Sequence, residues 1–124
     1  MTTPFETVSK FLAAMAVGDY DQAMTLVDDA CVYANPGVLP TVTGPAGVRA
    51  LLEPFFSPTL ENELLILNSA TNGELLFAER LDRHRLATGW VELPVTGVFE
   101  VKGGRITRWT DYFNGATITD VWPR

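Results

Sequence analysis

Three turn signals, Thr71-Asn72-Gly73, Ala87-Thr88-Gly89 and Lys102-Gly103-Gly104, cut the chain from Leu60 onward into four extended runs. Glycine at such points lets the backbone reverse tightly, so each run is laid antiparallel to the one before it. The pattern predicts a four-strand antiparallel meander. Nothing in the chain alternates strand with helix in the way that builds a parallel sheet.

The first half supplies helices. Thr3, Pro4 and Glu6 read as an N-cap, a first-turn proline and a capping-box partner, and Phe5, Val8, Leu12 and Met15 follow at helical spacing. Helix one is expected from Pro4 to about Val17, ending at Gly18. Asp19 with Gln22 opens a short second helix through Leu26. Ala30 to Tyr33 reads as a strand that runs into the turn Asn35-Pro36-Gly37. Gly44 and Pro45 begin a third helix that turns Val48, Leu51, Leu52 and Phe55 inward, with Pro54 weakening its last turn. The class is α+β, a single domain over residues 1–124, with an ordered extension after Asn114.

Charge narrows the function. Fifteen acidic residues against nine basic give a net charge of −6, which leaves no basic face for nucleic acid or for an anionic membrane. The one cysteine, Cys31, has no internal disulfide partner and reads as a small buried hydrophobe. The one histidine, His84, cannot anchor a zinc site alone, so no metal is expected. No apolar run approaches the roughly 20 residues that cross a bilayer. Phe11 to Val17 is apolar, but Glu6 and Lys10 precede it in place of a basic leader, so a cytoplasmic location is expected.

Chemistry is carried by three polar constellations set in apolar strands: Tyr33 with Asn35, Arg80 with Asp82, and Asp111 between Trp109 and Phe113. Residues two apart on a strand share a face. Leu76, Ala78, Arg80, Asp82 and His84 therefore form one face that begins apolar and turns ionic, and Asp111 lies between two aromatic side chains that would desolvate it and raise its pKa. Arg80 is the cation available to both carboxylates. A guanidinium between two aspartates can leave one as acid and the other as base, and Tyr33 and Asn35 can hold a water or a substrate oxygen. Taken singly, each piece has a plainer reading, an ion pair at the surface or a tyrosine in the core. Three together on sheet faces point to a buried site. His84 shares the face of Asp82; it lines the pocket or, as a lone histidine near a strand end, is solvated. Leu12, Met15 and Phe55 belong to the core or the pocket wall. Ser9, Ser57 and Ser69 lack the glycine-flanked setting of a nucleophile, and no glycine-rich phosphate loop is present.

The stretches Asp29 to Pro36 (DACVYANP), Glu79 to Asp82 (ERLD), Leu93 to Val101 (LPVTGVFEV) and Gly104 to Phe113 (GRITRWTDYF) resemble the limonene-1,2-epoxide hydrolase family, within the wider nuclear-transport-factor-2-like and SnoaL-like group. The resemblance implies a cone-shaped, curved, mixed but mainly antiparallel sheet packed against three N-terminal helices. It implies a cofactor-independent epoxide hydrolase. Asp111, Tyr33 and Asn35 would hold the attacking water, with Asp111 as general base; Asp82 would protonate the epoxide oxygen; and Arg80 would orient both aspartates. Leu12, Met15, Phe55, His84, Trp109 and Phe113 would line the substrate pocket. The partners would be a small, largely apolar epoxide, water and a second copy of the chain, joined through the outer sheet face near Val98. Thr110 and Asn114 stand where the family commonly has Arg and Asp, and His84 stands where an apolar wall is expected. Two other classes fit the same residues: an isomerase or cyclase of ketosteroid isomerase or SnoaL type, and a non-catalytic small-ligand-binding module.

Overall fold

The glycine turns set the sheet. Gly73 and Gly103 sit at φ of 60° and 58°, where a side chain would be strained, and each closes a hairpin between long strands. The computed structural model describes residues 2–123. Its elements run α1 (Pro4–Ala16), α2 (Tyr20–Met24), β1 (Val27–Asn35), β2 (Leu39–Thr43), α3 (Gly44–Phe56), β3 (Glu61–Asn72), β4 (Leu75–Leu86), β5 (Gly89–Lys102), β6 (Arg105–Tyr112) and α4 (Ala116–Thr119). The strands form one six-stranded sheet in the order β2-β1-β6-β5-β4-β3. The meander is antiparallel throughout, and β1 joins it parallel to β6, which makes the sheet mixed.

Two expectations need correction at the first strand. It begins at Val27 rather than Ala30, and the Asn35-Pro36-Gly37 turn does not end the local sheet but folds the chain back as β2, with Tyr33 opposite Val42. Pro40 removes a donor and threonines interrupt the apolar alternation, so β2 carries little strand signal; proline is tolerated there because the strand is at the edge. The second helix stops at Met24, two residues short of Leu26. The tail after Asn114 forms the short α4 and places the indole N–H of Trp122 on the carbonyl of Phe55 at 3.0 Å.

Helix α1 starts as its capping residues require, with the Thr3 hydroxyl accepting from the Glu6 amide at 3.1 Å. Its buried stripe is Val8, Phe11, Leu12 and Met15; Phe5 is exposed. On α3, Val48 and Leu52 are buried and Leu51 and Phe55 half-buried. These helices cover the inner sheet face, where Cys31, Tyr33, Leu76, Ala78, Phe99, Ile106 and Trp109 complete the core. Burying each large apolar side chain is worth roughly 1.5–3 kcal/mol. Cys31 is fully buried, and burial pushes its thiol to about 11, as suits an inert hydrophobe. Among the described residues no helix is long and apolar enough to cross a membrane.

Candidate active site

Strand alternation delivers the polar residues inward. Along β4 the inner positions Leu76, Ala78, Arg80, Asp82, His84 and Leu86 are all buried, while Phe77 and Glu79 face out. Ala78 on β4 and Asp111 on β6 both pair with Gly97 on the strand between them. Arg80 reaches diagonally across that glycine to Asp111. A Cβ at position 97 would lie 2.7 Å from Arg80 Nη1 and 2.7 Å from Asp111 Oδ1. Gly97 is therefore the opening through which the ion cluster forms. Gly97→Ala is expected to lower kcat by about 10²-fold through displacement of the pair and to destabilise the fold by about 1–3 kcal/mol through overpacking, measured by steady-state kinetics and urea unfolding of the same preparation.

The guanidinium is shared. Arg80 donates from Nε and Nη2 to Asp82 at 3.1 and 3.0 Å, and from Nη1 and Nη2 to Asp111 at 2.9 Å each. Its side chain is 2% exposed, against 10% for Asp82 and 6% for Asp111. Burial disfavours the charge on Arg80, but the two carboxylates outweigh it and hold the group ionised. Burial raises the pKa of Asp111 and nearby Asp82 adds to the rise, while Arg80 and the indole N–H of Trp109, which donates to Oδ1 at 2.7 Å, oppose it.

The first constellation meets the third because β1 runs parallel beside β6, placing Tyr33 opposite Trp109. Their rings stack at 3.8 Å between centroids, and Phe11 meets the Trp109 ring edge-on at 5.1 Å. The Tyr33 hydroxyl donates to Asn35 Oδ1 at 3.2 Å, and burial, with Asp111 close by, pushes its pKa well up, so it remains a hydroxyl. That bond leaves Asn35 Nδ2 fully enclosed with no partner among the described residues. An unmet buried N–H costs about 1–3 kcal/mol, and here it borders the cavity.

All five polar residues line one cavity, together with Leu12, Met15, Phe55, His84, Trp109 and Phe113. Its remaining wall includes Leu52, which helical spacing turns inward, and Leu64, Leu93 and Val95, which had no part assigned from the sequence. Leu93 and Val95 could have been found by carrying the β5 alternation back from Gly97; Leu64 depends on the pairing of β3 with β4. His84 is 2% exposed rather than solvated. Burial and the charge of Arg80 lower its pKa to about 4, so it is neutral at physiological pH. The arrangement can hold a small molecule against an arginine-bridged carboxylate pair.

The family model for the limonene-1,2-epoxide hydrolase catalytic domain matches residues 2–124. The epoxide hydrolase EphG of Mycobacterium tuberculosis is 33% identical over 107 residues, which span 86% of this chain and 70% of that protein. A solved structure of an M. tuberculosis epoxide hydrolase similar to the limonene-1,2-epoxide enzymes superposes with a TM-score of 0.80 at 30% identity, over 94% of this chain and 86% of that one. A SnoaL-like protein from Shewanella putrefaciens CN-32 gives 0.85 over 97% and 96% at 17% identity, a likeness of fold alone.

Proposed function

Since the chain belongs to the limonene-1,2-epoxide hydrolase family and is an epoxide hydrolase, we propose that it opens a small, largely apolar epoxide to a vicinal diol in one step, with no cofactor, by placing an activated water between Asp111, Tyr33 and Asn35. The observation that carries this reading is the single guanidinium bonded to both carboxylates, with the unpartnered Asn35 amide beside it. A water here has a place for every valence. It donates one hydrogen to Asp111 and the other to the Tyr33 oxygen, whose own hydrogen is committed to Asn35, and it accepts from Asn35 Nδ2 once a small shift of the enclosed amide uncovers that group. One lone pair remains for attack.

That lone pair forms the new C–O bond as the ring C–O bond breaks. Asp111 takes the proton of the water, and Asp82 gives its proton to the departing ring oxygen. The cluster ends with the same number of protons on exchanged carboxylates, and one transfer through solvent resets it. Arg80 keeps both carboxylates in place throughout. Each placed proton-transfer group is typically worth about 10²–10⁴ in rate, and the strained ring supplies driving force. An isomerase that shuttles one proton at carbon would leave the second carboxylate and the Asn35 amide without a part in the reaction.

The direct test is a single turnover in ¹⁸O-water over a panel of small epoxides, with mass spectrometry of the diol. Label in the diol supports attack by water. Unlabelled diol from the first turnover would instead indicate a covalent ester on a carboxylate, and no diol from any epoxide would favour the isomerase or binding-module reading.

The same reading covers assembly and location, a homodimer of this one catalytic domain in the cytoplasm. On the outer sheet face Leu65 pairs with Leu81 and Phe77 with Val98, and Val32, Leu65, Phe77 and Tyr112 are 39–54% exposed. An apolar face of this kind fits burial against a second copy. Light scattering is expected at twice the 13.6 kDa mass of the chain, with Phe77→Glu shifting it to monomer.

A further inference from the structure

His84 is held by a chain of hydrogen bonds that fixes its tautomer. The Thr59 hydroxyl donates its single hydrogen to the Phe56 carbonyl at 2.6 Å, so its oxygen must accept from Asn62, whose Nδ2 lies at 2.8 Å. This orients the Asn62 amide and turns its oxygen to His84 Nδ1 at 2.7 Å. An amide oxygen only accepts, so Nδ1 carries the proton and Nε2 of the neutral ring is a bare acceptor.

That acceptor belongs to a side chain on the cavity wall. Among the described residues Nε2 has no hydrogen-bond partner, and the one fully enclosed side-chain nitrogen or oxygen left unpartnered is Asn35 Nδ2, so Nε2 is not sealed off. His84 lines the cavity and is otherwise walled by Phe55, Phe56 and Trp122, at 5.9, 5.6 and 5.2 Å between ring centroids. Away from water, a lone acceptor in an apolar wall discriminates strongly between ligands that satisfy it and ligands that do not.

We propose that His84 Nε2 is a second polar subsite that accepts a hydrogen bond from a hydroxyl on the substrate, so that the enzyme favours hydroxylated epoxides over purely hydrocarbon ones. The inference rests on the epoxide hydrolase reading of the cavity and specifies its substrate class. On β4 the subsite lies two residues, or about 7 Å, from Asp82, so the hydroxyl belongs on the skeleton beyond the ring being opened. A hydrogen-bond donor is required; an ether oxygen at the same place would face the Nε2 lone pair. Asn62 is a positioning residue, acting through the imidazole.

Because His84 is the only histidine of the chain, its imidazole ¹⁵N signals in tag-free protein are unambiguous. They are expected to show a protonated Nδ1 and a bare Nε2 at neutral pH, with the Nε2 signal moving on addition of cyclohexanol but not of cyclohexyl methyl ether. In kinetics, 1,2-epoxycyclohexane bearing a hydroxyl at the ring carbon remote from the epoxide should exceed its methoxy counterpart in kcat/KM by about tenfold. The ratio should fall close to one in His84→Leu, and it should shrink in Asn62→Leu, where Nδ1 loses its acceptor and the tautomer is released. A proton on Nε2, an Nε2 signal indifferent to the alcohol, or a ratio unchanged in His84→Leu would overturn the proposal. If Nε2 responds to the alcohol while no epoxide is opened, the subsite stands and the hydrolysis reading falls.

Discussion

Asp111→Asn and Asp82→Asn are each expected to lower kcat for diol formation by about 10²–10⁴ or more while KM changes little. The carboxamide keeps the shape of the side chain but can neither take a proton from water nor give one to the ring oxygen. Combined, the two substitutions should cost little more than either alone, since attack and ring protonation belong to one transition state. Full activity in both single variants would exclude the carboxylate pair as the proton-transfer machinery. Asp111 also gives a signed pH effect. Its folded-state pKa is raised above the ordinary carboxylate value, chiefly by burial, so its stabilising contribution is present below about pH 4 and is lost as pH rises through the folded value. The unfolding free energy of Asp111→Asn relative to the parent should therefore rise with pH over that window, as read by urea titrations from pH 4 to pH 8.

Much of this site is legible in the sequence because β4 is regular. Every second residue from Leu76 to Leu86 is buried, without a bulge, so the shared face of Arg80, Asp82 and His84 follows from counting alone. The hairpins of the meander are equally plain, since glycine at each turn does local work that does not depend on the rest of the fold. What could not be read depends on pairings between distant strands. The parallel seating of β1 on β6 brings Tyr33 over Trp109, and no local signal specifies it. The bond that His84 donates to Asn62 comes from the register of β3 on β4, in which the two residues are directly opposite. Trp122 reaches His84 and Phe55 only because the tail returns past α3. Gly97 was visible as a glycine inside a strand, but its role needed the diagonal reach of Arg80.

Arg80→Leu is expected to destabilise the fold by about 3–5 kcal/mol at neutral pH, the usual consequence of removing one partner from a buried ionic group. Four hydrogen bonds to two carboxylates disappear at once, and Asp111 loses the cation that opposes the effect of burial on its pKa. Its folded-state value then rises further, so stability is retained at low pH and falls as pH rises, and the variant should recover part of its loss on acidification. Leucine at Asp82 and Asp111 as well should return most of the lost stability, because well-packed apolar side chains often replace a buried ionic group at no net cost. That triple variant would fold without any group able to move a proton. Chemical denaturation at pH 5 and pH 8 across the single and triple variants checks both halves. If Arg80→Leu is as stable as the parent at pH 8, the three charges are not coupled as their geometry requires. If the triple variant remains as unstable as the single one, the cluster is kept for folding, and its presence no longer argues for acid and base chemistry.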